Sequence, residues 1–181
     1  GAGQDGAPAT VREKSGSAQA YVLLGAILHP GPSEVPPLAA AAAVLSRRMG
    51  MDLREKRGLS YALGAGVELL GGGLLLTIRM GTTPAQLEAA LAGIDATIEG
   101  LRTSPPSREE IAVAVRGEGV RQIMRRLART NQAFAAGLQE IRSGSPIPAP
   151  WEDLAVPAPE AVAAAVGKHL AAARLTRVVL E

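Results

Sequence analysis

The sequence predicts an α+β fold: one mostly antiparallel sheet with helices packed on one face. Three observations lead there. Residues 59–70 alternate between apolar and small or polar side chains, and the triplet Gly71–Gly73 returns the chain into a second apolar run, which makes a hairpin of two strands. The helical patterns are grouped rather than alternating with strands, unlike a parallel α/β fold. A length of 181 residues suits one domain or two very small ones, and it can bury a sizeable core.

Taken in order, residues 1–16 are rich in Gly, Ser and charge and read as a flexible lead-in, with a short edge strand near Val11. Residues 17–181 are read as a single α+β domain. Ala18–His29 is a mostly apolar run closed by Pro30-Gly31-Pro32, and reads as a buried strand. Ser33 is an N-cap with Pro36 and Pro37 in the first turn, and the helix it opens runs through Leu38, Ala41, Val44, Leu45 and Arg48 to about Arg57, with room for a break. Gly58 stops it in a left-handed conformation, with Leu59 folding back onto the last turn.

In the strand that follows, Leu59, Tyr61, Leu63, Val67 and Leu69 share one face, and Ser60, Gly64, Gly66 and Glu68 the other. Leu74–Met80 returns. Thr83-Pro84 opens a helix whose buried face is Leu87, Leu91, Ile94, Ile98 and Leu101. Ser104-Pro105-Pro106 breaks it, and Ser107-x-x-Glu110 is a capping box for a helix reaching about Arg129. Asn131–Ile141 is a further helix, ended by Ser143-Gly144-Ser145-Pro146. A turn around Trp151, a helix on Val162, Val166 and Leu170, and a strand Leu175–Leu180 close the chain.

Composition excludes several kinds of chemistry. Aromatic residues are only 2% of the chain against 47% hydrophobic, so the core is built from Ala, Leu, Val and Ile. There is no Cys, which removes disulfide frameworks, zinc ribbons and thiol catalysis. The two histidines, His29 and His169, are far apart and outside any ligand spacing. They read as structural, His169 complementing a helix C-terminus. A net charge of +2 is no argument for nucleic acid. No apolar run approaches the roughly 20 residues of a membrane span. The start without Met leads to the expectation of an excised or processed fragment.

Three segments invite a functional reading. Gly71–Gly73 is set aside as a phosphate loop, because a strand and not a helix N-terminus follows. Arg121, Arg125 and Arg129 form a basic stripe opposite the apolar Val120, Ile123, Met124 and Leu127. It reads as an acidic-partner or nucleic-acid surface, or more plainly as the solvated face of an amphipathic helix, since no aromatic residue interleaves for base stacking. The third segment is Leu53-Arg54-Glu55-Lys56-Arg57-Gly58-Leu59-Ser60-Tyr61. Arg54 and Tyr61 stand seven residues apart across a helix-to-strand corner. A guanidinium and a phenol aimed at one point form a donor pair for a carbonyl oxygen becoming an oxyanion. Alternatively, Arg54 only complements the helix end and Tyr61 is a core aromatic.

The stretch LREKRGLSYALGAG resembles the signature of the second domain of pitrilysin/insulinase-type (M16-like) zinc metallopeptidases, among them the mitochondrial processing peptidases. The likeness extends to the opening strand AQAYVLLGA, to the long helices of SREEIAVAVRGEGVRQIMRRLARTNQAFAAGLQEIRSG, and to the closing PAPEAVAAAVGKHLAAARLTRVVL. The resemblance implies that zinc is held elsewhere, by an H-x-x-E-H helix with a downstream Glu in a catalytic domain that faces this one across a closed chamber. That zinc would activate water and polarise the scissile carbonyl. On the same grounds, Arg54 and Tyr61 take the family's roles as donors to that carbonyl.

This chain has no H-x-x-E-H in either direction, so the resemblance implies a substrate-binding domain that is inactive alone, binds no cofactor itself and relies on zinc in a partner domain or subunit. The expected partners are a peptide substrate and that zinc-bearing partner, in a homo- or heterodimer or within a longer subunit. The alternative within the family is a purely structural subunit, and outside it a binding module using the Arg stripe. Gly50 stands where the family more often carries a bulky residue, which implies different helix packing there.

Overall fold

The computed structural model describes residues 8–70, 73–143 and 155–181. The first seven residues, Gly71 and Gly72 of the expected turn, the break at Gly144–Pro146 and the turn around Trp151 lie outside the described residues. Five strands form one sheet: β1 (Thr10–Glu13), β2 (Ala20–Leu28), β3 (Ala62–Leu70), β4 (Gly73–Thr82) and β5 (Thr176–Leu180). Their order is β1-β5-β2-β4-β3. All neighbours are antiparallel except β1 and β5, which run parallel. The edge strand expected near Val11 therefore pairs with the last strand of the chain. This long-range pairing leaves no local sequence signal.

One face of the sheet is covered. Ala20, Val22 and Leu24 of β2, Leu74, Leu76, Ile78 and Met80 of β4, and Val179 of β5 are buried there. Helix α1 (Val35–Met49) makes its close approach to the sheet at β3, and its alanines Ala40–Ala43 are buried together with Leu38, Val44 and Leu45. Small side chains let that helix sit close to its neighbours, so packing density substitutes for aromatic bulk. Helix α2 (Leu87–Thr103) buries all five residues of its expected face, Leu87, Leu91, Ile94, Ile98 and Leu101. Helix α5 (Pro159–His169) adds Val162, Ala165 and Val166.

Two polar clamps hold the helices in place. Arg48 of α1 grips Glu110 of α3 (Arg108–Arg126) through two bonds of 2.7 and 2.9 Å, and also donates to the carbonyls of Gly100 and Ser104. The Arg48 bonds hold the Glu110 carboxyl below the usual carboxylate range. Arg177 of β5 grips Asp95 of α2 at 2.6 and 3.0 Å. At the start of α3, the Ser107 hydroxyl accepts from the Glu110 N–H as its capping pattern requires.

Three expectations need correction. α1 does not start from a Ser33 cap: a 3-10 turn, Pro32–Glu34, precedes it, and the Glu34 carboxylate accepts from the Gly31 N–H at 2.8 Å. Tyr61 does not begin a buried strand: it lies in a bend before β3 and is 66% exposed, while Leu59 and Ser60 turn inward. The strand starts late because the Ser60 hydroxyl accepts from the Ala62 N–H and donates to the Ala62 carbonyl, closing a local turn. Finally, the apolar stripe of α3 does not face a core. Val120, Ile123, Met124 and Leu127 are exposed, as are Phe134 and Ile141 of α4 (Arg129–Ser143).

Candidate functional site

The corner carrying Arg54 and Tyr61 is built from an unusual helical end. After Met49 the chain continues as a π-helical segment, Gly50–Lys56, in which the Arg57 N–H bonds to the Asp52 carbonyl five residues back. Such wide turns are rare and concentrate at functional sites. Leu53 is its buried anchor, fully inaccessible. Gly58 then takes φ +60°, the left-handed stop expected of it. The Leu59 N–H returns to the Leu53 carbonyl at 2.7 Å, and the Gly58 N–H to that of Arg54 at 3.2 Å. The buried Thr82 hydroxyl donates to the Leu59 carbonyl at 2.7 Å, tying the corner to the end of β4.

Sequence reasoning missed the support beneath. A Cβ on Gly93 of α2 would stand 2.5 Å from a methyl of Leu53 and 3.0 Å from the Arg57 guanidinium, so glycine at that point lets α2 approach the π-helical segment. Arg57 also reaches the Ala89 carbonyl at 3.5 Å and Asp52 at 3.6 Å. Gly50, by contrast, has open space where a Cβ would be, so its small size relieves no crowding.

Arg54 and Tyr61 are both exposed, but they are not joined. Arg54 donates from Nε and Nη2 to one oxygen of its neighbour Glu55, at 2.9 and 2.7 Å. Tyr61 instead lines a cavity of about 470 Å³ on the uncovered face of the sheet, with Tyr21, Leu23, Arg79, Val178 and Leu180. A signal for the apolar ones was present in the strand alternation: beside glycines and threonines, the positions between the buried ones in β2, β4 and β5 include Tyr21, Leu23, Ile27, Leu75, Val178 and Leu180, where a solvated face is ordinarily polar.

The other candidates separate from this corner. Arg121 pairs with Glu118 at 2.9 Å on α3, and Arg129 begins α4. His169 ends α5 with its Nε2 buried and unbonded, 3.7 Å from Glu34. Glu34 itself is held below the usual carboxylate range by its hydrogen bond from Lys168. Among the described residues, no group of three His, Cys, Asp or Glu side chains is placed to hold a metal ion. With no Cys in the chain and neither His29 nor His169 in such a group, the described residues do not fit a zinc site. No helix among the described residues is long and apolar enough to cross a membrane.

The family model described as the peptidase M16 inactive domain matches residues 3–118. The chain belongs to this family. Solved structures share its fold. The peptidase M16 inactive domain from Pseudomonas fluorescens is 18% identical, with a TM-score of 0.69 over 96% of this chain and 43% of that one. A protease from Helicobacter pylori is also 18% identical, with a TM-score of 0.70 over 98% of this chain and 45% of that one. An inactive peptidase domain from Bordetella parapertussis is 19% identical, with a TM-score of 0.68 and 90% of each chain covered.

At such identities the likeness is one of fold. This M16 inactive domain spans less than half the length of the first two relatives. No curated protein matches it in sequence. Family and fold agree with the expectation raised by LREKRGLSYALGAG, and the M16 inactive domain is a non-catalytic unit of a peptidase family.

Proposed function

We propose that this M16 inactive domain is the substrate-binding half-lobe of a zinc metalloendopeptidase. It faces a zinc-bearing domain or subunit and supplies Arg54 and Tyr61 to the scissile carbonyl of a peptide. The observation that carries the reading is Tyr61: it is 66% exposed and lines a cavity, with no hydrogen-bond partner for its hydroxyl among the described residues. Arg54 is also exposed, though paired. Its contact with the adjacent, exposed Glu55 is a surface pair worth about 0–1 kcal/mol, readily exchanged for a substrate oxygen. Both donors gain strength as negative charge develops on the carbonyl oxygen, so they favour the transition state over the ground state.

The test is turnover by the assembled enzyme. Arg54→Ala and Tyr61→Phe are each expected to lower kcat by about 100-fold, equivalent to about 3 kcal/mol, with little change in thermal stability. Wild-type turnover in both variants overturns the assignment and returns the domain to a structural role within the family.

A further inference from the structure

The uncovered sheet face carries one cation without a counter-charge. Arg79 of β4 stands directly opposite Leu23 of β2 on one side and Gly64 of β3 on the other. Leu23 in turn faces Val178 of β5, which faces Val11 of β1. The whole transverse row is therefore Val11, Val178, Leu23, Arg79 and Gly64. Facing positions on a sheet are where an opposite charge contributes most, and none is present in this row.

The nearest acid of β3 on this face, Glu68, is registered opposite Leu75, four residues along β4 from Arg79, or about 13 Å at the rise of a strand. No hydrogen bond or ion pair joins Arg79 to any described residue. Meanwhile Arg79 lines the 470 Å³ cavity with two tyrosines and the apolar Leu23, Val178 and Leu180.

The adjoining row shapes the cavity. It runs from Glu13 on β1 through Leu180, Tyr21 and Gly81 to Ala62, so its acid stands at the far edge of the sheet, three strands from Arg79's strand. Gly81 leaves room above the strand: a Cβ there would only just touch the Tyr21 ring, at 3.7 Å. The Tyr21 hydroxyl is held by Gln19 at 2.5 Å, so the ring forms a fixed wall. The result is a shallow apolar depression across four strands, about 15 Å wide at the usual strand spacing, with a guanidinium on its floor. Apolar walls take an aliphatic side chain, and a guanidinium in apolar surroundings pairs best with a carboxylate, which matches its fork of donors.

We infer that this depression is a binding pocket for an extended peptide in which an aliphatic residue stands next to a glutamate or aspartate, with Arg79 receiving the acidic side chain. The inference deepens the reading of the domain as substrate-binding and rests on it only for the identity of the occupant as a peptide. Arg79 is a specificity residue here, distinct from the donors to the reacting carbonyl.

The experiment is a titration of the isotopically labelled 181-residue chain, followed by NMR, with acetyl-Ala-Leu-Glu-Leu-Ala-amide and its Gln counterpart. Blocked ends leave the side chain as the only carboxylate. The Glu peptide is expected to shift the Gly81 and Tyr61 amides and to bind about tenfold more tightly than the Gln peptide. Arg79→Gln is expected to abolish that preference by weakening the Glu peptide alone, and Gly81→Leu to weaken both peptides by filling the depression. Equal affinity for the two peptides, an unchanged preference in Arg79→Gln, or no binding of either peptide overturns the inference. Because this measurement needs no turnover and no partner, it can fail while the Arg54 and Tyr61 roles stand, and succeed while they fall.

Discussion

The π-helical corner and the outer part of the α3–α4 pair are written in the same amphipathic code, yet only the corner buries its apolar side. Leu53 is wholly inaccessible beneath α2. Leu127, with an equally apolar side chain at an equally well-spaced position, is 64% exposed. The difference is in what lies opposite. Gly93 lets α2 come within contact of Leu53, whereas the buried positions described on α3 are Ile111, Ala114, Val115 and Gly119, before its outer end. Helical periodicity thus specifies an apolar face but not the surface that covers it.

The comparison can be broken most severely at Leu53. Replacing it with Ala removes a fully buried side chain from beneath the Arg54–Tyr61 corner and should cost about 3 kcal/mol in urea denaturation. Gly93→Ala attacks the same contact from the other side. A gain in helix propensity of about 1 kcal/mol is outweighed by overpacking of about 1–3 kcal/mol against Leu53, so a net loss of about 1 kcal/mol is expected. A stabilised Gly93→Ala would show that α2 and the motif do not press on each other.

A smaller effect concerns the inner end of α3. The Glu110 carboxyl titrates below its ordinary value of 4.5 because Arg48 hydrogen-bonds to it. A folded-state value depressed below the unfolded one adds stability that is complete above pH 4.5 and is lost as pH falls through the folded value. Glu110→Gln should therefore lower stability at neutral pH and flatten its decline in acid, measured as thermal midpoints from neutral pH down into the acid range. The least effect is expected at the outer end. Leu127→Ser should change stability by less than about 0.5 kcal/mol, since nothing covers that side chain among the described residues.

Much of the local structure was legible in the sequence, each time for a reason confined to a few residues. Gly58 marked the helix stop because a left-handed φ of +60° favours a residue without Cβ. Ser107 and Glu110 marked the start of α3, and the spacing from Leu87 to Leu101 marked the buried face of α2. The position of Tyr61 was misread because alternation was extended one pair too far. The Ser60 hydroxyl, a local competitor for backbone hydrogen bonds, ends the pattern there. Arg79 was passed over because a single arginine in a strand carries no spacing signal; it becomes informative only when its cross-strand neighbours prove to be Leu23 and Gly64.

By itself the sequence determined the α+β class, most of the helices and strands, and the family resemblance carried by LREKRGLSYALGAG. All of these depend on residue type and short spacing, which the chain carries along its length. Only the tertiary structure decided that β1 joins β5 in parallel, that Gly93 supports the motif, that Tyr61 lines a cavity with Arg79, and that the α3 stripe faces outward. Those outcomes depend on which residues distant in sequence come to lie opposite one another, and that is settled by how helices and strands share a single core.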